Sequence, residues 1–350
     1  MSEQILTPIK VGIVNDSNLV RNYLTKVISG DSIEVVFTAV DGVDALSKLD
    51  FKKPDVILLD LEMPKMDGLT FIDKMIDAGS LYPTIIVSSF SENGSRLVLD
   101  ALENGAVDFV SISDESDDKE KLQETLLSKI KIAHSSDPFQ LIHEKLSSLK
   151  PRRKNAPRVG SSERVVVIGS STGGPSTVQK VLSEIPIDIS AGILLVQHMP
   201  KGFTKQFAAR LSNTTGFEVK EAEEGDVVKD GMILMAPGNY HMIVKPNRKI
   251  HLDSSDKRFG VRPAVNMTMI SASEVFGSNI VGVILTGMGH DGGFGMKSIK
   301  KRGGHTIVQN KETSVIFGMP QSVIDLDAAD DILPLNDIAK KIEMEVQALV

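Results

Sequence analysis

The sequence predicts an α/β protein with two domains, each built around a parallel sheet. The chain has 350 residues, a length that fits two domains more naturally than one. Short apolar runs alternate with amphipathic segments through residues 1–133, which is the pattern of repeated βα units. Further along, the uninterrupted β-branched run Val165–Ile168 opens directly into a glycine-rich turn. A run of this kind is typical of a strand that is buried on both faces of a parallel sheet.

The composition excludes several classes of function. Hydrophobic residues make up 41% and charged residues 24% of the chain, as in ordinary globular proteins. Cysteine is absent, so disulfides, thiol catalysis and cysteine-ligated metals are excluded. A net charge of −7 argues against nucleic acid as a partner. No apolar run has the length of a membrane span, and the N-terminus lacks the apolar core of a signal peptide. We therefore expect a cytoplasmic protein without membrane insertion.

The first domain, residues 1–133, is expected to be a five-stranded parallel sheet with helices on both faces. A helix is expected to close it, from Asp117 to Ala133. The predicted strands are Val11–Asn15, Ile33–Thr38, Asp55–Leu59, Thr84–Val87 and Val107–Val110.

Two carboxylates mark the ends of strands in this domain. Asp16 follows the first strand and Asp60 ends the third. Because the carboxyl ends of parallel strands meet at one edge of a sheet, the two side chains are expected to share a pocket. Paired carboxylates repel unless a cation lies between them, and oxygen ligands of this kind suit Mg²⁺. Taken singly, each residue fits a solvated carboxylate in a loop better than a metal ligand.

Four segments of this domain, VGIVNDS, VILLDLEMPKMDG, IIVSSF and GAVDFV, resemble a response-regulator receiver domain, which has a flavodoxin-like fold. The resemblance covers residues 8–133. It implies that Asp60 is the phosphoacceptor and that Asp16, Asp60 and the carbonyl of Glu62 bind Mg²⁺. It also implies that the hydroxyl of Ser88 follows the phosphoryl group as the switch residue.

Two positions depart from the receiver pattern. The family usually has an acidic pair after its first strand, where Asn15 replaces the first member. It usually has a lysine after its fifth strand, where Ile112 stands here. One negative charge on the metal side and one positive charge on the phosphoryl side are therefore missing, and both losses are expected to weaken phosphorylation or its readout.

Residues 134–162 are expected to form a linker. They contain several prolines and the basic run Lys150–Arg158, and prolines with clustered like charges disfavour packed structure. The basic run has two interpretations, a solvated linker or a binding segment for an acidic partner, and the sequence favours the first.

The second domain, residues 163–350, is expected to be a doubly wound α/β domain with a β-hairpin insertion. Helices are predicted over Pro175–Glu184, from Gly202 to Asn213 and around Pro263–Phe276. After the strand at Val165, buried strands are predicted over Gly192–Val196 and Ile280–Leu285. A β-rich insertion between them comprises Met232–Met235, Tyr240–Lys245 and Lys249–Asp253.

The glycine-rich turn after Val165–Ile168 has three interpretations. It is a tight strand-to-helix connection, a phosphate cradle at a helix N-terminus, or a nucleophile turn that exposes Ser171 beside backbone N–H groups. The spacing matches neither the dinucleotide-binding fingerprint nor the lysine-containing phosphate loop. A nucleophilic serine requires a base. The choice among these three interpretations therefore depends on whether residues further along the chain supply one.

His198 and Asp291 supply the chemistry that Ser171 needs. Each of the three residues lies in a turn beyond an apolar strand, so all three are expected to converge at one edge of the sheet. A hydroxyl, an imidazole and a carboxylate form the set required for acyl transfer. His241 and His290 remain rival bases at this point, and Asp291 has the alternative role of a helix cap.

A longer set of motifs then identifies the domain. IGSSTGGP, LLVQHMPKGFT, KEAEEGDVV, MAPGNYHM, GVILTGMGHDGGFGM and FGMP resemble the catalytic domain of CheB-type chemotaxis protein-glutamate methylesterases, over residues 163–345. The resemblance implies Ser171 as the nucleophile, His198 as the base and Asp291 as the carboxylate. It implies the backbone N–H of Met288 as an oxyanion donor, with Thr172 as a second candidate.

The resemblance also implies a function. Such an enzyme hydrolyses glutamate γ-methyl esters on a methylated chemoreceptor and releases methanol, and some members also deamidate receptor glutamines. Hydrolysis needs no cofactor, and Mg²⁺ serves the receiver. A chemotaxis histidine kinase is the expected phosphodonor, and phosphorylation at Asp60 is expected to relieve a receiver that covers the active site. The competing interpretations are a receiver-linked scaffold without turnover and, with less support, a nucleotide-binding enzyme.

Overall fold

A computed structural model of the chain describes residues 7–80, 82–89, 92–112, 119–136 and 160–349. It divides into two compact units, Met1–Leu146 and Ser147–Val350, which are described separately. Most of the expected linker, including the basic run Lys150–Arg158, lies outside the described residues.

The first unit contains a five-stranded parallel sheet with the order β2-β1-β3-β4-β5, the order of flavodoxin-like folds. The predicted receiver fold is therefore confirmed. Its strands are β1 (Ile9–Val14), β2 (Ile33–Ala39), β3 (Val56–Leu59), β4 (Thr84–Ser89) and β5 (Asp108–Ile112). Its helices are α1 (Asn18–Ile28), α2 (Gly42–Lys52), α3 (Gly68–Asp77), α4 (Glu92–Glu103) and α5 (Lys119–Ser135).

Short polar side chains determine where three of these helices begin. An Asp or Ser before the first turn accepts a hydrogen bond from a backbone N–H that has no partner inside the helix. The caps are Ser17 for α1, Asp41 for α2 and Asp67 for α3. The last helix, α5, extends two residues beyond the predicted end at Ala133, so the first residues of the expected linker are helical.

The second unit contains a seven-stranded parallel sheet with the order β14-β13-β12-β6-β7-β9-β8. Its strands are β6 (Val165–Ser170), β7 (Gly192–Gln197), β8 (Glu218–Glu221), β9 (Met232–Met235), β12 (Ile280–Ile284), β13 (His305–Gln309) and β14 (Asp331–Leu333). Its helices are α6 (Gly174–Glu184), α7 (Phe203–Thr214), α8 (Val265–Phe276), α9 (Gly293–Lys301), α10 (Gly318–Asp325) and α11 (Leu335–Ala348). A separate antiparallel hairpin consists of β10 (His241–Val244) and β11 (Ile250–Asp253).

One predicted strand has a different place in this fold. The sequence assigns Met232–Met235 to the β-rich insertion, but the structure places it as β9 inside the main sheet. It pairs in parallel with β7 on one side and β8 on the other. All four of its residues are buried, and burial on both faces explains why a short apolar run belongs to a parallel sheet. The insertion is therefore limited to the β10–β11 hairpin.

The strand order creates a crevice at the centre of the second sheet. β6 lies between β7 and β12. From β6 the chain continues to β7 on one side and returns later to β12 on the other. Ligands of open α/β sheets bind where the order reverses, outside the carboxyl ends of the strands. None of the helices in the described parts of the chain combines the length and apolarity needed to cross a bilayer.

Candidate active site

Ser171 and the loop after β12 are in direct contact at this crevice. Ser171 follows the last residue of β6, and its backbone N–H donates to the carbonyl of Thr286 at 3.0 Å. A Cβ atom at Gly287 would stand 2.9 Å from the Cβ of Ser171 and 2.3 Å from the sulfur of Met319. Glycine is therefore required at position 287, because any side chain would displace Ser171 or the loop.

His198 and Asp291 form a hydrogen-bonded pair beside this contact. His198 follows β7, and its Nε2 lies 2.8 Å from Oδ2 of Asp291. The side chains are 11% and 3% exposed, so the pair is largely shielded from water. An electrostatic interaction in such a shielded place is stronger than on an open surface. The structure thus brings together two of the three predicted site residues by direct contact, and Ser171 follows the end of the neighbouring strand β6.

Three backbone N–H groups hold the carboxylate of Asp291. Val265 donates to Oδ2 at 2.6 Å, while Asn266 and Gly292 each donate to Oδ1 at 3.0 Å. Val265 and Asn266 are the first residues of α8, whose N-cap residue, Ala264, has no side-chain hydrogen bond to offer. Asp291 therefore caps a helix that begins 26 residues earlier in the chain. The helix-cap role and the triad role are compatible, because the carboxylate of Asp291 binds both His198 and the first turn of α8.

Gln197 connects the two neighbouring strand ends, a role that no sequence motif predicts. Its Oε1 accepts from the hydroxyl of Ser170 at 2.6 Å, and its Nε2 donates to the carbonyl of Ser171 at 2.8 Å. The same Nε2 lies 3.4 Å from the carbonyl of His198. The only signal in the sequence is a polar residue at the end of a buried strand. Ser170 and Gln197 are both fully buried, so this serine has a structural partner.

Glycine is also required where α6 begins. A Cβ at Gly174 would stand 2.1 Å from Oε1 of Gln197. The backbone N–H of Gly174 donates to the carbonyl of Ser171 at 2.8 Å. The glycine-rich turn is therefore shaped by the close approach of its backbone to Gln197.

The two rival histidines occupy different environments. His241 is fully buried; its Nδ1 accepts from the N–H of Ala264 at 3.1 Å, and its Nε2 lies 3.1 Å from the carbonyl of Asp256. Both of its ring nitrogens have protein partners, so it is a structural histidine. His290 is exposed although it neighbours Asp291. The geometry favours His198 as the base.

Met288 and Thr172 remain predicted oxyanion donors. Met288 directly follows Gly287 and is 45% exposed. Thr172 is buried, and its carbonyl accepts from the hydroxyl of Thr286 at 3.0 Å. The contact between Gly287 and Ser171 places both candidates near the predicted nucleophile.

In the first unit, Asp60 lies at the carboxyl end of β3 as predicted. Asn15 donates from Nδ2 to Oδ2 of Asp60 at 2.8 Å, and the N–H of Glu62 donates to Oδ1 at 3.3 Å. Burial raises the pKa of Asp60 to about 6, and the carboxylates of Asp16 and Glu62 contribute to the increase. A carboxyl group surrounded by others is typical of a cation site.

The other receiver positions lie at neighbouring strand ends. Ser88 is buried on β4 and its backbone pairs with that of Ser111, while Ile112 is the last residue of β5. Ile112 is partly buried and carries no charge. The next residue, Ser113, lies outside the described residues.

Comparisons with known proteins match both units. The CheB methylesterase family model matches residues 166–342, and the model of the response regulator receiver domain matches residues 11–122. A protein-glutamate methylesterase/protein-glutamine glutaminase of Symbiobacterium thermophilum is 39% identical over 360 residues, covering 99% of both chains. A protein of the same name from Archaeoglobus fulgidus is 42% identical over 338 residues, covering 95% of this chain and 97% of its own.

A solved structure matches the second unit. The Thermotoga maritima CheB methylesterase catalytic domain is 46% identical, with a TM-score of 0.51, and the match covers 53% of this chain and 99% of that domain. Relatives similar over nearly the full length, together with the two family models, show that the chain belongs to the CheB methylesterase family and carries a response regulator receiver domain before its methylesterase domain.

Proposed function

We propose that this chain hydrolyses glutamate γ-methyl esters on chemoreceptors, with Ser171, His198 and Asp291 as its catalytic triad. The observation that carries the proposal is the shielded hydrogen bond between His198 and Asp291 at the strand end next to Ser171. A triad is recognised by this arrangement of roles and not by the order of its residues in the chain.

The reaction follows from the roles of the three side chains. Oγ of Ser171 attacks the ester carbonyl while His198 takes the hydroxyl proton. Because Nε2 of His198 is bound to Asp291, the proton acceptor is Nδ1. The imidazolium returns the proton to the departing methoxy group, so methanol leaves and a glutamyl ester of Ser171 remains. Water then attacks this acyl-enzyme with His198 as base, which yields a glutamate side chain and the free serine.

Asp291 keeps the imidazole in one orientation throughout this cycle. Its carboxylate is fixed by three backbone N–H groups as well as by His198, so it does not rotate when the imidazole gains a proton. A carboxylate in this position stabilises the imidazolium without taking its proton. The N–H groups of Met288 and Thr172 are the candidates for stabilising the oxyanion.

The same acyl-enzyme supports a second reaction. A glutamine side chain offers ammonia in place of methanol as the leaving group, while nucleophile, base and final product stay the same. Deamidation of receptor glutamines therefore belongs to the proposed function. The relatives of Symbiobacterium thermophilum and Archaeoglobus fulgidus carry both activities in their names.

We further propose that the receiver, residues 1–133, regulates the methylesterase domain, residues 163–350, across the linker of residues 134–162. Phosphorylation of Asp60 by a chemotaxis histidine kinase is the regulatory event. The carboxylates of Asp16 and Asp60 and the carbonyl of Glu62 fit Mg²⁺, because all three are oxygen donors. Burial is the main cause of the raised pKa of Asp60, and the nearby carboxylates of Asp16 and Glu62 add to it. When bound, Mg²⁺ would neutralise charge on the incoming phosphoryl group. Hydrolysis at Ser171 uses no cofactor in this proposal.

Methanol release from membranes that contain methylated chemoreceptors tests the function directly. The full-length chain is expected to release methanol, and the Ser171→Ala variant is expected to release none above background. If the wild-type chain binds these membranes but releases no methanol, the competing function, a receiver-linked scaffold without turnover, replaces the proposed one.

A further inference from the structure

Two aromatic side chains of the methylesterase domain stack on each other at the surface. Phe259 is 58% exposed and Phe294 is 52% exposed. Their ring centroids are 6.4 Å apart and the rings are inclined by 18°. Aromatic side chains favour burial, so an exposed stacked pair is a candidate surface for binding another molecule.

The backbone at Phe259 supports the same conclusion. This residue has a φ of 52°, in the left-handed region that side chains other than glycine rarely adopt. Reciprocal backbone hydrogen bonds between Arg258 and Val261, each of 3.0 Å, hold the turn in place. Strained residues of this kind concentrate at functional sites. The turn presents Phe259 outward and does not bury it.

Arg262 ties this turn to the segment after His198. Its guanidinium donates to the carbonyls of Ser254 and Ser255 at 2.5 and 2.7 Å and to Oδ1 of Asn239 at 2.8 Å. The loop that contains Asn239 also packs closely on the backbone after Pro200. The approach is so close that a Cβ at Gly238 would stand 2.3 Å from the backbone nitrogen of Lys201. The exposed turn is therefore fixed relative to the chain that carries the base.

Phe294 is fixed relative to Asp291. It lies in the first turn of α9, three residues after the triad carboxylate. The next residue, Gly295, donates to Oδ1 of Asn266 at 2.7 Å. The N–H of Asn266 donates to Asp291. The stacked pair is thus anchored on both sides to the elements that hold His198 and Asp291.

We propose that Phe259 and Phe294 form an aromatic ledge on which the chemoreceptor helix that carries the ester docks. The inference rests on the proposed function. Three carbon–carbon bonds separate the Cα of a glutamyl ester from its reacting carbonyl. When that carbonyl reaches Ser171, the receptor backbone must therefore lie against the surface that flanks the triad. The ledge is a rigid apolar part of that surface, and it contacts apolar side chains of the receptor helix that lie beside the ester.

The charges around the ledge fit the same partner. Arg258 precedes Phe259, and Lys297 lies one helical turn after Phe294 on α9, where residues three apart share a face. Both are exposed. A receptor segment that gains and loses methyl esters carries glutamates in its demethylated form, so it is acidic. Basic side chains beside the ledge complement that charge and guide the approach of the receptor.

The test compares two substrates in the full-length chain. Phe259→Ser/Phe294→Ser is assayed on methylated receptor membranes and on the small substrate N-acetylglutamate γ-methyl ester α-amide. We expect kcat/KM on the receptor to fall at least ten-fold, mainly through KM, because docked aromatic anchors carry much of the binding energy of an interface. The loss on the small ester should be several-fold smaller. Phe259→Tyr/Phe294→Tyr should restore most of the receptor activity.

A matched control separates docking from a general effect of lost apolar surface. Ile332→Ser/Met344→Ser removes two side chains of similar exposure, 49% and 53%, on β14 and α11 of the same unit, and should retain both activities. The docking proposal would be refuted if the phenylalanine double variant lost activity equally on the receptor and on the small ester. It would also be refuted if this variant kept the activity of the wild-type chain on the receptor. A wild-type chain that releases no methanol from receptor membranes would instead refute the proposed function, and the ledge with it.

Discussion

Asn15 donates a hydrogen bond from its side-chain amide to the carboxylate of Asp60, over 2.8 Å. Receivers usually have an acidic residue at this position, which would repel Asp60 in the absence of a cation. Here the amide provides a neutral partner for the proposed phosphoacceptor. The departure from the receiver pattern therefore changes the electrostatics of Asp60 directly, which leads to two predictions about the receiver.

The first prediction concerns the ionisation of Asp60 in metal-free protein. Burial raises its pKa from 3.8 to about 6. Since the folded-state pKa lies above the unfolded value, protonation of Asp60 stabilises the fold below about pH 4, and this contribution is lost as the pH rises through about 6. Asn15→Asp should raise the pKa further, because a charge replaces a hydrogen-bond donor. Carboxyl ¹³C NMR titration measures both values, and a wild-type pKa near 4 would contradict the prediction.

A second prediction concerns activation by phosphorylation. Asn15 adds no charge to the proposed Mg²⁺ site and Ile112 cannot pair with phosphoryl oxygens. A small phosphodonor with Mg²⁺ should therefore modify Asp60 but activate methanol release only weakly. The Asn15→Asp/Ile112→Lys double variant should be activated several-fold more strongly, because it regains a charge-assisted contact. Phosphorylation is quantified in parallel, with Asp60→Asn as the unmodified control. Equal or stronger activation of the unaltered chain would show that the two departures have no effect.

The two adjacent serines should differ sharply in the methanol assay. Ser171→Ala should lower kcat by several orders of magnitude, as loss of a triad member does. Ser170→Ala removes only the hydroxyl that orients Gln197, and its loss should stay within about ten-fold, because a neutral hydrogen bond contributes about 1 kcal/mol. Thermal unfolding of both variants checks that each is folded. Retained activity in Ser171→Ala would remove this residue from the role of nucleophile.

Alanine substitutions should distinguish three roles among the histidines: a catalytic base, a structural residue and a residue without a catalytic role. His198→Ala should match Ser171→Ala in severity, since the two act as a unit. His241→Ala leaves buried partners unsatisfied and should lower the free energy of unfolding by about 1–3 kcal/mol. His290→Ala should change kcat less than either triad variant, because its side chain is exposed. An inactive His290→Ala together with an active His198→Ala would show that the base is assigned wrongly.

Gln197 should act on kcat and not on KM. Gln197→Met keeps a similar volume but removes the donor that binds the carbonyls of Ser171 and His198. Small misplacements of reacting groups cost rate strongly, so kcat should fall by about ten-fold or more at an unchanged KM. Gln197→Glu retains an acceptor for Ser170 but also loses the donor, so it serves as the matched variant and should be equally slow. A rise in KM alone would assign Gln197 to substrate binding.

Sequence patterns predicted the strand ends because each strand is short, apolar and followed directly by polar residues. That is why Ser171, His198 and Asp291 emerge from the sequence together. Met232–Met235 was assigned wrongly, because an apolar run of four residues does not reveal which sheet it joins. Its burial between β7 and β8 depends on contacts made after the chain has folded back.

The contacts that complete the site are long-range, and no local pattern encodes them. Gln197 at the end of β7 binds the turn of Ser171 at the end of the adjacent strand β6, and Phe259 meets Phe294 from a separate loop. Local sequence patterns also failed to show that Asp291 binds the first turn of α8, because Ala264 offers no side-chain cap that would mark the helix start. Such partners become visible only when the register of the sheet is known.

The position of Asp291 at the start of α8 has a consequence for the dynamics of the enzyme. A side-chain cap contributes about 0.5–2 kcal/mol to a helix, and here that cap is Asp291, the residue proposed to orient the base His198. When the first turn of α8 frays, Asp291 loses two of its backbone partners and no longer holds His198 in place. Opening of this turn and loss of the His198 orientation are therefore one and the same local unfolding event. Heating or mild denaturant should abolish turnover as soon as this first turn opens, before the rest of the domain unfolds. Hydrogen exchange at the amides of Val265 and Asn266 would consequently report the fraction of catalytically competent molecules.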